Sequence, residues 1–282
     1  MCRLAIIINK NNINIEYLTK LLWFYEHSIF KQCYKEPYTP YDDNNPRNHK
    51  INLDGYGIGF FADNIPKKYT NIIPSWNDKN LFQIIPYIKT KVLLTHIRAV
   101  DSLSERNFKY LGNKSNTPVH LYNCHPFIYK SWMFCHNGFI ECFYKGSCRK
   151  KIINKIKNHL LLEILGTTDS EYIFYLIISY YEIYNDMIKS IITCIKFLNK
   201  FSGIITVNLI ITDGINTYAT RYVNSNNDNP PSLYYIKKND EIILSSEPLE
   251  KNNTEWILVK KNSIISIKDF EIIFFNIDNK LN

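Results

Sequence analysis

The chain has 282 residues, which is long for one hydrophobic core and short for two full domains, so a single domain over 1–282 is expected. Apolar residues make up 45%, ordinary for a folded protein, and the 34 basic and 26 acidic residues leave a net charge of +8. The lysines are dispersed among asparagine and isoleucine rather than gathered into a block, which gives no ground for a nucleic-acid partner.

Seven cysteines are an odd count without the spacing of a small disulfide scaffold, and this favours a reduced, cytoplasmic setting. The apolar run after Arg3 stops at Asn9, too soon for a secretory signal. The longest greasy region, 172–198, is interrupted by Glu182, Asp186 and Lys189. It reads as helical core, and no membrane partner is expected.

Taken in order, residues 4–9 are rich in β-branched side chains and predict a strand buried on both faces. Immediately before them stands Cys2. A small second residue permits removal of Met1, which would give Cys2 a thiol and a free α-amine together. One residue then supplies a nucleophile and a base. The plain alternative is a small residue opening a buried strand.

Ile15, Leu18, Leu21, Leu22, Tyr25 and Ile29 recur at three- and four-residue spacing and predict a helix over 15–30. The proline- and asparagine-rich stretch 37–52 predicts an irregular excursion. Residues 54–61 alternate glycine with β-formers, as a strand does when another backbone or a ligand comes close. A phosphate loop would need a following helix and a Lys-Ser/Thr step, and both are missing. A strand end and turn at 72–77 and a short helix within 80–90 follow.

Residues 92–99 predict a second buried strand carrying His96 and Arg98. A buried arginine needs an anion, either a structural partner or a ligand carboxylate, which its planar fork suits. A polar loop spans 101–120. Cys124-His125 and Cys135-His136 raise the idea of zinc, but adjacent strand residues point to opposite faces and the usual ligand spacings are missing, so no metal and no cofactor is expected.

Asn137-Gly138 offers a side-chain amide and a flexible backbone N–H, a suitable donor pair for a developing oxyanion. The alternative is a tight turn. Residues 150–165 predict a helix ended by Gly166, and 167–171 open another with hydroxyls and carboxylates, Asp169 among them, where helix N-termini favour them. A helix at 185–201 follows. From 204 the pattern changes to short strands at 204–212, 216–223, 233–237, 241–246, 256–260 and 263–268, with hairpin turns at Asp213-Gly214 and 238–240. The tail 270–277 is β-prone, an edge strand or a partner contact. Strands, helices, then strands again suggest an α+β fold of two sheets sandwiched by helices.

Met1-Cys2-Arg3, Asp54-Gly55-Tyr56-Gly57, His96-Ile97-Arg98-Ala99, Asn123-Cys124-His125-Pro126-Phe127, His136-Asn137-Gly138 and Thr168-Asp169-Ser170-Glu171 together resemble, in this order, the class II glutamine amidotransferases, which are N-terminal-nucleophile hydrolases. The segments 211–214, 219–222 and 245–249 resemble the same family's C-terminal sheet. Glu26-His27-Ser28-Ile29 and 74–81 resemble the stand-alone branch that includes the γ-glutamyl-cleaving subunit of the fungal glutathione-degrading complex. Leu53, Tyr56 and Val100-Asp101 depart from that pattern.

The resemblance implies a four-layer α-β-β-α sandwich and hydrolysis of a γ-glutamyl amide through a Cys2 thioester. It makes Cys2 the nucleophile, Asn137 and Gly138 the oxyanion hole, Arg98 the binder of the substrate α-carboxylate and Asp169 that of its α-ammonium. His96 and His125 would line the site as support. The implied partners are a small γ-glutamyl substrate and a separate peptidase or synthase subunit; the alternative is a non-catalytic γ-glutamyl-binding scaffold.

Overall fold

A computed structural model describes residues 2–33, 52, 54–99, 118–250 and 254–278. The irregular excursion expected at 37–52 and the polar loop at 101–120 fall mostly outside these residues, as do Leu53, Val100 and Asp101.

Strand β1 (Arg3–Asn9) shows why the chain forms layers. Side chains alternate across a strand, and both faces here are apolar: Ala5 and Ile7 join one core, Leu4, Ile6 and Ile8 another. Each of the leucine and isoleucine side chains contributes about 1.5–3 kcal/mol on full burial, so the strand is stable only with a layer on each side.

On both sides β1 is paired antiparallel. It joins β4 (Val92–Ile97) with Arg3 opposite Ile97, and β10 (Glu241–Ser245) with Ala5 opposite Ser245. With β2 (Tyr56–Ala62), β3 (Ile65–Asn71), β9 (Tyr234–Lys238) and β11 (Ile257–Leu258), they form a first sheet ordered β11-β9-β10-β1-β4-β2-β3. The second sheet contains β5 (Phe127–Tyr129), β6 (Trp132–Ile140), β7 (Ile205–Thr212), β8 (Thr217–Arg221), β12 (Ser263–Lys268) and β13 (Glu271–Asn276), in the order β13-β12-β8-β7-β6-β5.

Helix α1 (Ile15–Thr19), a π-helical turn (Lys20–Phe24) and helix α2 (Lys79–Ile84) cover the outer face of the first sheet. Helices α3 (Ser147–Ile153), α4 (Asn158–Leu161), α5 (Asp169–Tyr184) and α6 (Met187–Leu198) cover the second. Met133, Cys135, Ile210 and Ile265 meet Leu4, Ile6 and Leu94 between the sheets. The result is the expected four-layer α-β-β-α sandwich.

Several boundaries differ from the periodicity. The helix expected over 15–30 ends early, because Tyr25 N–H bonds to the Lys20 carbonyl, and the chain then folds back so that Ile29 and Phe30 bond to Leu21 and Leu22. The 150–165 helix is split. Lys157 N–H turns to the Ser179 hydroxyl of α5 instead of continuing the ladder. The tail proves to be an edge strand, paired to β12 alone. Cys142 and Cys148 bring their sulfurs together, a pairing their spacing did not suggest.

Candidate active site

Cys2 stands at the head of β1, half-buried, on the face that looks between the sheets. Its Sγ accepts the Ala99 N–H at 3.3 Å and lies 3.6 Å from the Ala99 carbonyl. The β1–β4 register, continued by one residue, sets Cys2 beside Arg98. The next residue anchors this end: Arg3 Nη2 pairs with Glu247 at 2.7 Å, while Nη1 donates to the Cys2 carbonyl at 3.2 Å. Both charged side chains are almost fully enclosed.

Arg98 is also buried. Its backbone N–H donates to Gly55 and its Nη1 to the Asp54 carbonyl at 3.3 Å, which ties it to the start of β2. The alternating glycines there face the inter-sheet space. A Cβ on Gly57 would come within 2.1 Å of the His125 carbonyl, and one on Gly59 within 2.7 Å of Met133 Sδ. The close approach expected of this strand is therefore made by the 124–126 segment, whose His125 ring packs at a tilt against His96 with centroids 4.0 Å apart.

Burial pushes the His96 imidazole down to about 3 and His125 well below its ordinary value, so both are neutral at neutral pH. The ring of His96 spans the sheets, its Nε2 donating to the His136 carbonyl on β6 at 3.1 Å.

That carbonyl belongs to the peptide leading to Asn137. Asn137-Gly138 is not a turn: it lies within β6, opposite Asn208 and Val207 of β7. Alternation with Met133 and Cys135 directs the buried Asn137 side chain toward the first sheet. Glycine at 138 answers a packing demand, because a Cβ would come within 2.2 Å of the Thr206 carbonyl and 2.5 Å of His136 Nε2.

Asp169 opens α5 with both oxygens engaged: Oδ1 accepts the Ser170 N–H and Oδ2 the Ile140 N–H of β6, each at 2.8 Å. Its reading as a simple cap therefore accounts for one oxygen only. These bonds and the helix N-terminus favour the carboxylate, yet burial prevails and raises the carboxyl from 3.8 to about 6. Burial raises the half-buried Tyr144 hydroxyl, the Asp169 charge raises it further and Arg98 lowers it.

Two features were not read from the sequence. The Arg3–Glu247 pair depends on strand register. The ring of His136, conspicuous only as part of a motif, proves to be bonded to Ser170. Among the described residues no group of three or more His, Cys, Asp and Glu side chains is arranged to hold a metal, and no helix is long and apolar enough to cross a membrane.

A cysteine at the head of an inner strand, two helix-covered antiparallel sheets and a strand-borne Asn-Gly describe one class of protein, the N-terminal-nucleophile amidotransferases. The family described as "Glutamine amidotransferases class-II" matches residues 38–238, and the chain belongs to it. Among curated proteins it is 28% identical to "Probable glutamine amidotransferase DUG3" of Saccharomyces cerevisiae, over 97% of this chain and 83% of that protein. It is 25% identical to a "Gamma-glutamyl-hercynylcysteine sulfoxide hydrolase" of Mycobacterium tuberculosis, over 34% of this chain and 37% of that protein.

The fold is that of a glutamine aminotransferase class-II domain protein from Silicibacter pomeroyi, with TM-score 0.68, 21% identity and 98% of each chain covered. It is also shared by the glutamine phosphoribosylpyrophosphate amidotransferase of B. subtilis, with TM-score 0.62 and 11% identity, over 98% of this chain and 49% of that one.

Proposed function

We propose that the protein hydrolyses a γ-glutamyl amide, that of glutamine, glutathione or a related compound, through a thioester on Cys2. The observation that carries this reading is the half-buried Cys2 thiol, bonded to Ala99 N–H at 3.3 Å and set in register with Arg98. An apolar core does not need a thiol at such a place.

In this mechanism Met1 is removed and the freed amine of Cys2 takes the thiol proton. Sulfur bonds to the γ-carbonyl carbon, and the oxyanion is met by the Asn137 amide and the Gly138 N–H. Return of the proton to nitrogen breaks the C–N bond and releases the amine. Water then attacks the thioester, giving the γ-carboxylate and the restored thiol.

Arg98 holds the substrate α-carboxylate and Asp169 the α-ammonium, with His96 and His125 supporting the site from behind. Asp169 suits this role because its buried carboxyl accepts the Ile140 and Ser170 N–H groups, and a ligand cation would offset the cost of its charge. A cytoplasmic setting fits a thiol nucleophile, and a separate peptidase or synthase subunit would take up the released product.

Intact-mass analysis with 6-diazo-5-oxo-norleucine, followed by peptide mapping, tests the reading. Loss of Met1 and one adduct on Cys2 is the expected result. A retained Met1 with no adduct refutes it and favours a binding scaffold.

A further inference from the structure

His136 lies beside the proposed oxyanion donor yet takes no part in the steps above. Its ring is buried on the opposite face of β6 from Asn137, toward the helical layer, where Phe134 also lies. Nε2 stands 3.1 Å from the Thr206 carbonyl and Nδ1 2.9 Å from the Ser170 hydroxyl. A carbonyl can only accept, so Nε2 carries the proton and Nδ1 has a lone pair. The Ser170 hydroxyl, 2.9 Å from Nδ1 and 3.5 Å from Asp169 Oδ1, gives its single proton to Nδ1, the nearer acceptor. One tautomer satisfies both contacts, and it ties the first turn of α5 to the β6–β7 pair.

The tie falls at a sensitive place. Ser170 N–H donates to Asp169 Oδ1, Ile140 N–H, from the same strand as His136, donates to Oδ2, and the main-chain carbonyl of His136 receives His96 from the facing sheet. Gly138 is held free of a Cβ partly by the His136 ring.

We infer that His136 is a positioning residue: through Ser170 it fixes Asp169 at the depth where the α-ammonium of a γ-glutamyl substrate is read. The inference rests on the proposed function and concerns selectivity rather than the chemical step. A positional error of about 1 Å in such a group can cost about a hundredfold in rate.

The test compares L-γ-glutamyl-p-nitroanilide with glutaryl-p-nitroanilide, which has the same acyl chain and terminal carboxylate but no α-ammonium. The readout is the ratio of their kcat/KM values. Wild-type protein should prefer the γ-glutamyl compound. Ser170→Ala, which removes the hydroxyl and leaves the ring, should lower that preference at least fivefold. His136→Gln, whose amide nitrogen reaches the Nε2 position but leaves the Nδ1 acceptor unfilled, should do the same. His136→Asn, with an oxygen near the Nδ1 position, should restore most of it.

A merely structural role would lower both kcat/KM values in parallel and keep the ratio. Such an unchanged ratio in Ser170→Ala and His136→Gln overturns the positioning role while the proposed function stands. Equal wild-type turnover of the two anilides removes Asp169 as the ammonium site, and with it this inference; turnover of neither overturns the proposed function itself.

Discussion

If Asp169 reads the ammonium, affinity for glutamine must depend on its ionisation. Burial raises this carboxyl from 3.8 to about 6. Carrying the charge in the free folded protein therefore costs about 3 kcal/mol, at about 1.4 kcal/mol for each tenfold change in acidity. The sign follows: the cost is absent below the unfolded value, grows as pH rises and is complete above about 6, where a bound ammonium offsets it.

A ligand that binds only the ionised form finds about nine-tenths of the protein ready at pH 7 and about one-tenth at pH 5, so its Kd should weaken about tenfold over that interval. The assay is calorimetric titration of L-glutamine into Cys2→Ala, which binds without turnover. Glutamine stays zwitterionic throughout. The His136 and His96 imidazoles, pushed down by burial to about 4 and about 3, titrate below this window. Glu171 is also raised by burial, so Asp169→Asn is the control, expected to bind weakly and with little pH dependence. A Kd unchanged from pH 5 to pH 7, or a pH dependence that survives in Asp169→Asn, would falsify the assignment.

Three further outcomes follow from the same geometry. Asn137→Ala should lower kcat by two to three orders of magnitude, the loss of about 2.7–4 kcal/mol typical of one oxyanion donor; steady-state turnover near wild type would remove it from that role. Glu247→Ala leaves Arg3 charged and buried without its carboxylate, and should cost about 3–5 kcal/mol in urea denaturation. In the double variant with Arg3→Met the stability should largely return; if the single variant loses less than about 1 kcal/mol, the pair is not a significant anchor. Gly57→Ala should destabilise the protein strongly, because its methyl would meet the rigid His125 carbonyl at 2.1 Å, and an unchanged thermal midpoint would contradict the close packing of that segment on β2.

The layering was legible in the sequence because it rests on alternation and burial. A run such as Leu4 to Ile8 has no polar face to show to water, so it must lie between two layers. The spaced glycines of β2 announced a close neighbour for an equally local reason.

Features that depend on what meets a residue were harder to read. Asn137-Gly138 looks like a turn until its strand partners are known, since any hairpin would welcome those two residues. Tyr56 appears as a departure from the family pattern, but its hydroxyl donates to Asp78, whose other bonds gather Tyr69, Asn71 and the start of α2. The 15–30 and 150–165 helices were overextended because apolar spacing persists through a fold-back: Ile29 and Phe30 are buried whether the helix continues or reverses. Nothing local marks Glu247 as the partner of Arg3, which lies at the other end of the chain.

That distance has a consequence for the order of synthesis. The strand carrying Cys2 is completed on one side by residues 241–245, and its guanidinium anchor pairs with Glu247. During synthesis β1 must therefore wait for residues 241–247 before it is paired on both sides and Arg3 meets Glu247, and contacts this far apart in sequence form late and slowly. On the proposed mechanism, reactivity at residue 2 requires residues 241–247, and a nascent chain halted before residue 241 should remain unlabelled by 6-diazo-5-oxo-norleucine.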